Sequence, residues 1–244
     1  MAAAGTDKGA VQLWKSDDGT AGGTLRGHVG NVTAVVLGKQ PGQVFTAGAD
    51  GTVRIWNTSP ESKFHEDRLG EVTAVAYSPD GSMVALGLPV QERPGILVRD
   101  LQSGKILYEL LGHQAPVTAI GFQENGARLV SGSTDKTLRV WDLKDTKFAQ
   151  LASFEHPGPL TAVAISKDGS HVFGASSDNG IHQWSLAEGS ETRLLAGHTA
   201  AINSLVVSGD VLVSGAADST IRSWNTTTGA AAGNINNMAA VTSL

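Results

Sequence analysis

Ser131, His113 and Asp135 have the side chains of a hydrolytic triad, in which histidine takes the serine proton and aspartate orients the histidine. The residues around Ser131 do not form the Gly-x-Ser-x-Gly turn that exposes the nucleophile in many hydrolases. The same residue types recur in the same order at His198, Ser214 and Asp218. A working active site need not be built more than once, so the recurrence favours a structural role and we predict no catalytic residue.

The elements that position these residues repeat along the chain. The five tryptophans fall in one local context, and Arg99 occupies that position in a sixth copy. Gly-His pairs precede some of the copies, followed by a β-branched segment, a turn, a short apolar run and a turn centred on aspartate. Each repeat therefore predicts four short strands joined by tight turns. The repeats end near Trp14, Trp56, Arg99, Trp141, Trp184 and Trp224.

The Gly-His pair, the terminal Trp and the period near 42 residues resemble the WD-repeat β-propeller family over essentially the whole chain. The resemblance implies an all-β propeller of about six four-stranded antiparallel blades in a single domain, residues 1–244. Residues 236–244 are either a strand that closes the ring by pairing with the N-terminal blade or the start of a further repeat. In the second case the chain is a fragment of a seven-bladed or larger propeller.

The resemblance also implies a buried hydrogen-bond net of His, Ser or Thr, Asp and Trp in each complete blade. Complete sets are His28, Thr46, Asp50, Trp56; His113, Ser131, Asp135, Trp141; and His198, Ser214, Asp218, Trp224. Partial sets are His156, Asp178 and Trp184, where Gly174 replaces the hydroxyl, and Asp7 and Trp14, with Ala3 at the hydroxyl position. The third repeat has Arg68 and Arg99 and no turn aspartate.

The composition of the chain, and the spacing of the histidines outside the predicted nets, bear on whether the protein binds nucleic acid, a membrane or a metal. The net charge is −5 without a Lys/Arg-rich run, which disfavours nucleic acid as a partner. The chain has no cysteine, no membrane-spanning apolar run and no signal peptide, so we expect no membrane association and a cytoplasmic protein. His65, His171 and His182 have no spacing suited to a shared metal, so we predict neither a metal nor a cofactor.

The third repeat has the most individual loops, which the resemblance places on one rim of the ring. They are the lengthened Asp-turn loop Leu88–Gly95 and the charged loop Lys63–Glu71, which precedes a first strand. We predict a non-catalytic interaction scaffold that binds a protein or peptide on this rim. The candidate contacts are Arg68, Glu71, Gln91, Glu92 and Arg93, with Asn31, Asn203, Thr134 and Ser177 as further ones. The alternative is a regulatory or targeting module of a larger protein, whose enzymatic activity lies outside this chain.

Overall fold

Apolar residues, many of them β-branched, recur in the short predicted strands, while Gly, Asp and Asn recur in the segments between them. In the computed structural model these apolar segments form antiparallel β-strands, which confirms the all-β prediction. The structure describes residues 1–38, 42–58, 72–89, 95–144, 150–236 and 239–241, together with the backbone of 65–68. No helix occurs in these ranges, so none of the described part is a helix that could cross a membrane.

The chain divides into two compact units, Met1–Glu109 and Leu110–Leu244, which we describe separately. The boundary falls inside the last strand of the third sheet. Whether residues 1–244 act as a single domain stays a prediction.

In the first unit, three sheets follow one another along the chain. One sheet has strand order β1 (Ala2–Gly5), β2 (Ala10–Trp14) and β3 (Ala21–Arg26). The next contains β4 (Val32–Leu37), β5 (Gln43–Gly48), β6 (Thr52–Asn57) and β7 (His65–Arg68). The third contains β8 (Ala74–Tyr77), β9 (Met83–Gly87), β10 (Gly95–Asp100) and β11 (Ile106–Leu111).

In the second unit, three four-stranded sheets follow the same plan, with neighbours in sequence paired in space. The first contains β12 (Val117–Phe122), β13 (Arg128–Ser133), β14 (Thr137–Asp142) and β15 (Gln150–Glu155). The second contains β16 (Ala162–Ile165), β17 (His171–Ala175), β18 (Gly180–Ser185) and β19 (Ser190–Ala196). The third contains β20 (Ile202–Ser208), β21 (Val211–Ala216), β22 (Thr220–Asn225) and β23 (Ala231–Asn236).

The core lies between successive sheets of each unit, because each sheet is apolar on both faces. In the second unit, Leu138 and Val140 of β14 pack against Val163 of β16 and Trp184 of β18. In the first unit, Val11 and Leu13 of β2 form one cluster with Val44 and Trp56 of the next sheet. Burial on both faces explains why the Trp strands lack a simple alternation of apolar and polar residues.

In several sheets, a bulged residue near the start of the first strand contacts the neighbouring sheet. The pairing register shifts around Thr33, Thr118 and Asn203, which leaves each of them without a cross-strand partner. The Thr118 hydroxyl donates to the Leu160 carbonyl of the next sheet at 2.6 Å, and the Thr33 hydroxyl donates to the Val72 carbonyl at 3.1 Å. The bulge thus directs a polar side chain at the adjacent sheet.

Residue 241 takes the position that opens a first strand elsewhere in the second unit. Its backbone N–H donates to the Ala216 carbonyl at 2.9 Å, and its carbonyl accepts from the Asn203 side chain at 2.8 Å. Ile202 makes the matching pair of contacts with the Ser176 carbonyl and the Thr161 hydroxyl. Both predicted roles of residues 236–244, ring closure and a further repeat, stay predictions.

Candidate functional site

A buried hydrogen-bond net occupies the sheet β12–β15, at the end where the chain enters β12. His113 Nε2 lies 2.8 Å from Ser131 Oγ, and His113 Nδ1 lies 2.9 Å from Asp135 Oδ2. The Trp141 indole N–H donates to Ser131 Oγ at 2.9 Å. Asp135 also accepts the Gln114 backbone N–H at 2.8 Å. The structure thus brings together the four residues that the resemblance predicted for this repeat.

Two further sheets contain the same net, one in the first unit and one in the second. In β4–β7, His28 Nε2 lies 2.7 Å from Thr46 Oγ1, and His28 Nδ1 lies 3.0 Å from Asp50 Oδ1. The Trp56 indole N–H donates to Thr46 Oγ1 at 2.8 Å.

In β20–β23, His198 lies 2.8 Å from Ser214 Oγ and 2.9 Å from Asp218 Oδ2, and Trp224 donates to Ser214 at 2.9 Å. The geometry agrees with that of the first net to within 0.1 Å.

The pKa shifts of Asp135 and His113 indicate where the protons lie in the net of β12–β15. Although burial raises the pKa of Asp135, hydrogen bonds from Thr137, the Gln114 backbone and His113 lower it to about 2. Burial lowers the pKa of His113, which therefore stays neutral. Its Nδ1–H donates to the carboxylate, and its Nε2 accepts the Ser131 hydroxyl proton. In the other two nets, burial raises the pKa of Asp50 and Asp218, but the hydrogen bonds outweigh it and both pKa values are lowered.

This geometry argues against a nucleophilic role for Ser131. Its side chain is fully buried, so no substrate carbonyl reaches Oγ. The Trp141 indole also occupies one of the oxygen lone pairs that an attack would use. The Ser–His–Asp contacts are those of a catalytic triad, but the serine is enclosed by its own sheet.

The structure corrects the partial net predicted for the first sheet. Gln12 occupies the strand position of Arg54, and it pairs with Ala4 as Arg54 pairs with Thr46. Ala4, rather than Ala3, therefore lies at the hydroxyl position. Counting back equally from Trp14 and Trp56 puts Lys8, rather than Asp7, at the turn position of the aspartate. The prediction was one residue out of register at both points.

The predicted rim residues differ in their surroundings. Asn31, Thr134 and Ser177 are exposed. Asn203 is half-buried and its side-chain amide is bound to the Val241 carbonyl, so its visible contact is structural. Arg68 is the last residue of strand β7, and the structure describes its backbone. The side chain of Arg68 lies outside the described residues, as do the remaining four predicted contacts of the third repeat, Glu71, Gln91, Glu92 and Arg93.

In the sheet β16–β19 the predicted partial net is replaced by a different cluster. Gly174 supplies no hydroxyl, and the Leu160 side chain fills the space, since a Cβ on Gly174 would lie 2.7 Å from Leu160 Cδ2. Asp178 Oδ2 makes its hydrogen-bond contact with His182 Nε2, at 3.0 Å, and not with His156 as the resemblance implied. The His156 and His182 rings meet edge to face with centroids 4.6 Å apart. His182, to which we assigned no role, is thus a central member of the site.

The comparisons with known proteins bear on the repeats. The family model described as WD domain, G-beta repeat matches residues 19–57, 104–142, 148–185 and 189–225, which is more than half of the chain. The chain belongs to the WD40-repeat family. Its antiparallel sheets are therefore WD40 propeller blades, as the resemblance predicted.

Curated WD40 relatives match part of the chain. A protein named Periodic tryptophan protein 2 homolog from Dictyostelium discoideum is 30% identical over 146 residues, which is 58% of this chain and 16% of that protein. The U3 small nucleolar RNA-associated protein 21 homolog of Schizosaccharomyces pombe is 30% identical over 145 residues, 57% of this chain and 16% of its own length. Mitochondrial division protein 1 of Mycosarcoma maydis is 32% identical over 152 residues, which is 54% of this chain and 18% of that protein. The matched region is under a fifth of each relative.

The WD40 nets have a further member that the sequence analysis missed. In each complete blade a threonine two residues after the aspartate donates its hydroxyl to the carboxylate, at 2.7–2.8 Å, and contacts His Nδ1. These are Thr52, Thr137 and Thr220. The signal was present as Asp-x-Thr-x-Arg-x-Trp in all three repeats. In the Trp184 repeat, whose net is incomplete, the same stretch is Asp178-Asn179-Gly180-Ile181-His182-Gln183-Trp184. Here Gly180 replaces the threonine and His182 replaces the arginine.

Proposed function

We propose that the chain is a non-catalytic interaction scaffold that binds a protein or peptide at the blade ends formed by the Asp turns and the loops before the first strands. A scaffold role in general is supported by the WD40 repeats and by relatives that are named as a U3 small nucleolar RNA-associated protein and a mitochondrial division protein. The rim as the binding surface is our own inference.

The observation that carries the proposal is the joining of these two kinds of loop. In the second unit, the Thr134 backbone N–H donates to the Pro116 carbonyl at 3.1 Å, and Ala217 N–H donates to the Ala201 carbonyl at 2.8 Å. In the first unit, Ala49 N–H donates to the Asn31 carbonyl at 2.8 Å. Each blade end is thus one supported surface, on which loop side chains vary over a fixed scaffold.

The distribution of polar groups supports a binding role over a catalytic one. The Ser, His and Asp side chains that could perform chemistry are enclosed and bonded to one another in three blades. Thr134 and Ser177, the two predicted contacts that reach solvent at the same ends in the second unit, are small and uncharged. Such groups form hydrogen bonds with a partner but have no activated nucleophile or base.

Paired surface variants test the position of the binding surface. The rim variant is Thr134→Arg with Ser177→Arg, and the matched control is Ala187→Arg with Glu188→Arg, at the turn between β18 and β19 on the opposite blade end. All four positions are exposed, so both variants should fold. A partner captured by the wild-type chain and identified by cross-linking should be lost by the rim variant and retained by the control.

Equal retention by both variants would place the partner elsewhere and refute the rim proposal. A third variant, Glu92→Ala with Arg93→Ala, tests the surface we propose in the third repeat, whose other predicted contacts are Arg68, Glu71 and Gln91. Capture unchanged in this variant would remove the third repeat from the proposal while leaving the second-unit rim in place.

A second candidate function is a regulatory or targeting module of a larger protein. It is favoured by the coverage of the relatives, of which this chain spans about a sixth. A reading frame that continues past residue 244 into further repeats or another domain would support this candidate. A frame that stops there would argue against it. Cytoplasmic location stays a prediction under both candidates.

A further inference from the structure

We propose that His156, Asp178 and His182 bind a divalent transition-metal ion, with zinc as the ion that suits them best. The three residues lie at the end of the sheet β16–β19, in the blade that lacks the hydroxyl of the His–Ser/Thr–Asp–Trp net. One ligand atom from each, two imidazole nitrogens and a carboxylate oxygen, all lie within 4.8 Å of one another.

The distances are close to those that a metal ion requires. Two N or O ligands on one tetrahedral zinc ion are about 3.4 Å apart, given metal–ligand bonds near 2.0–2.1 Å. Asp178 Oδ2 and His182 Nε2 are 3.0 Å apart, and the imidazole rings of His156 and His182 are already in edge-to-face contact. The proposal requires the His156 ring to turn so that its Nε2 joins the same coordination sphere.

His182 lies between two carboxylates, which calls for a positive charge at this point. Its Nδ1 is 2.8 Å from Glu191 Oε1 and its Nε2 is 3.0 Å from Asp178 Oδ2. A neutral imidazole has one N–H donor, so one of the two contacts would set a lone pair against a carboxylate oxygen. Either a second proton on the ring or a metal ion between Nε2 and Asp178 removes this conflict.

His156 distinguishes these two possibilities. The residue is 4% exposed, and its Nε2 is a buried nitrogen with no hydrogen-bond partner among the residues that the structure describes. Its Nδ1 lies 2.9 Å from the Gly158 carbonyl oxygen and 3.1 Å from the Gly158 backbone nitrogen. The tautomer that donates the Nδ1 proton to the carbonyl, the shorter of the two contacts, has its lone pair on Nε2, and this is the tautomer that the proposal requires. A second proton on His182 gives this nitrogen no partner, whereas a metal ion coordinated by His182 and Asp178 gives it one.

The groups around the three ligands match the outer shell of a metal site. Metal-binding histidines usually donate their second ring N–H to a carboxylate or a backbone carbonyl. Glu191 takes this role for His182, and the Gly158 carbonyl takes it for His156. The Gly180 backbone N–H donates to the other oxygen of Asp178 at 3.2 Å, which leaves Oδ2 aimed at the cluster.

The ligand set and its charge favour zinc over the alkaline-earth ions. Magnesium and calcium prefer all-oxygen sites, whereas two imidazoles and one carboxylate are ligands typical of zinc and neighbouring transition metals. Asp178 and Glu191 together carry the two negative charges that balance a divalent ion. The Asp178 side chain is 32% exposed, so the ion can enter from this side and a water molecule can take the fourth position.

The test is a zinc titration of the tag-free chain by calorimetry, with cobalt absorption as a second readout of coordination geometry. The decisive variant is His182→Arg, which restores the residue that Arg54, Arg139 and Arg222 provide in the three complete blades. The matched control is His171→Ala, which removes a histidine of β17 in the same sheet from outside the cluster. Glu191→Gln tests the outer shell without removing a ligand.

We expect one zinc ion per wild-type chain and an unchanged affinity in H171A. Affinity should fall at least 100-fold in H182R and 10- to 100-fold in E191Q, the usual cost of removing an outer-shell partner. Zinc binding that is equal in wild type and H182R would overturn the proposal, as would an equal loss in H171A. If H182R does not fold, His156→Gln replaces it as the deciding variant, with the same two outcomes.

Discussion

Replacement of Ser131 by alanine tests the reasoning about the buried nets. The hydroxyl accepts the Trp141 indole N–H at 2.9 Å and donates to His113 Nε2 at 2.8 Å, and all three side chains are buried. Its loss leaves one donor and one acceptor without partners, at about 1–3 kcal/mol each. Partial relaxation of the two rings reduces the sum, so we expect S131A to lower the free energy of unfolding by about 2–4 kcal/mol.

The assay is urea unfolding followed by tryptophan fluorescence, with the free energy extrapolated linearly to water. Two controls bracket the result. Ser131→Thr keeps the hydroxyl, as Thr46 does in the first unit, and should cost under about 1 kcal/mol. Ser177→Ala removes an exposed hydroxyl and should change stability by less than about 0.5 kcal/mol. A loss in S131A no larger than that in S177A would refute the claim that the net stabilises the blade.

Three further predictions concern the second unit. Because the pKa of Asp135 is lowered to about 2, its carboxylate contributes stability that is complete above the unfolded value of 3.8 and is lost as pH falls toward 2. Acid titration of unfolding should therefore show a shallower decline in Asp135→Asn than in wild type. Lys136 has a φ of 66°, a left-handed conformation that glycine adopts freely. Lys136→Gly should therefore raise the melting temperature, with a gain in the free energy of unfolding of about 0.5–1 kcal/mol. A lower melting temperature would contradict this prediction. Thr118→Val removes the hydrogen bond to the Leu160 carbonyl and should cost about 1–2 kcal/mol in urea unfolding, whereas no change would show that the contact between sheets contributes nothing.

The sequence was sufficient to predict the strands and, through the family resemblance, four members of each complete net, but not the threonine that follows each aspartate. Repetition allowed this, because a motif that recurs in register constrains each copy more than its own residues do. His113 and Asp135 are 22 residues apart, yet the repeat places them at the same end of one sheet. The same reasoning failed by one residue at Asp7, where the first repeat has no Gly-His pair to fix the register.

The histidine cluster was not predicted, although part of its signal was visible. Side chains two apart in a strand share a face, so His182 had to lie on the same face as Trp184, where the resemblance had already placed His156. The contact of Asp178 with His182 depends on which of two rings the carboxylate faces, and motif spacing does not determine that. The predicted contacts in the third repeat depend on loops that no recurring pattern specifies.

At Gly174 the blade has no hydroxyl, and the Leu160 side chain fills the space instead. This arrangement limits how the blade can change in evolution. A serine there would collide with Leu160, and Thr137's counterpart, Gly180, would still give the aspartate no hydroxyl. Restoring a complete net in this blade thus requires several substitutions, and we expect the first of them alone to displace the Leu160 side chain without completing the net. Descendants of this chain are therefore expected to keep the divergent blade, and selection is left to act on whatever its two histidines can bind.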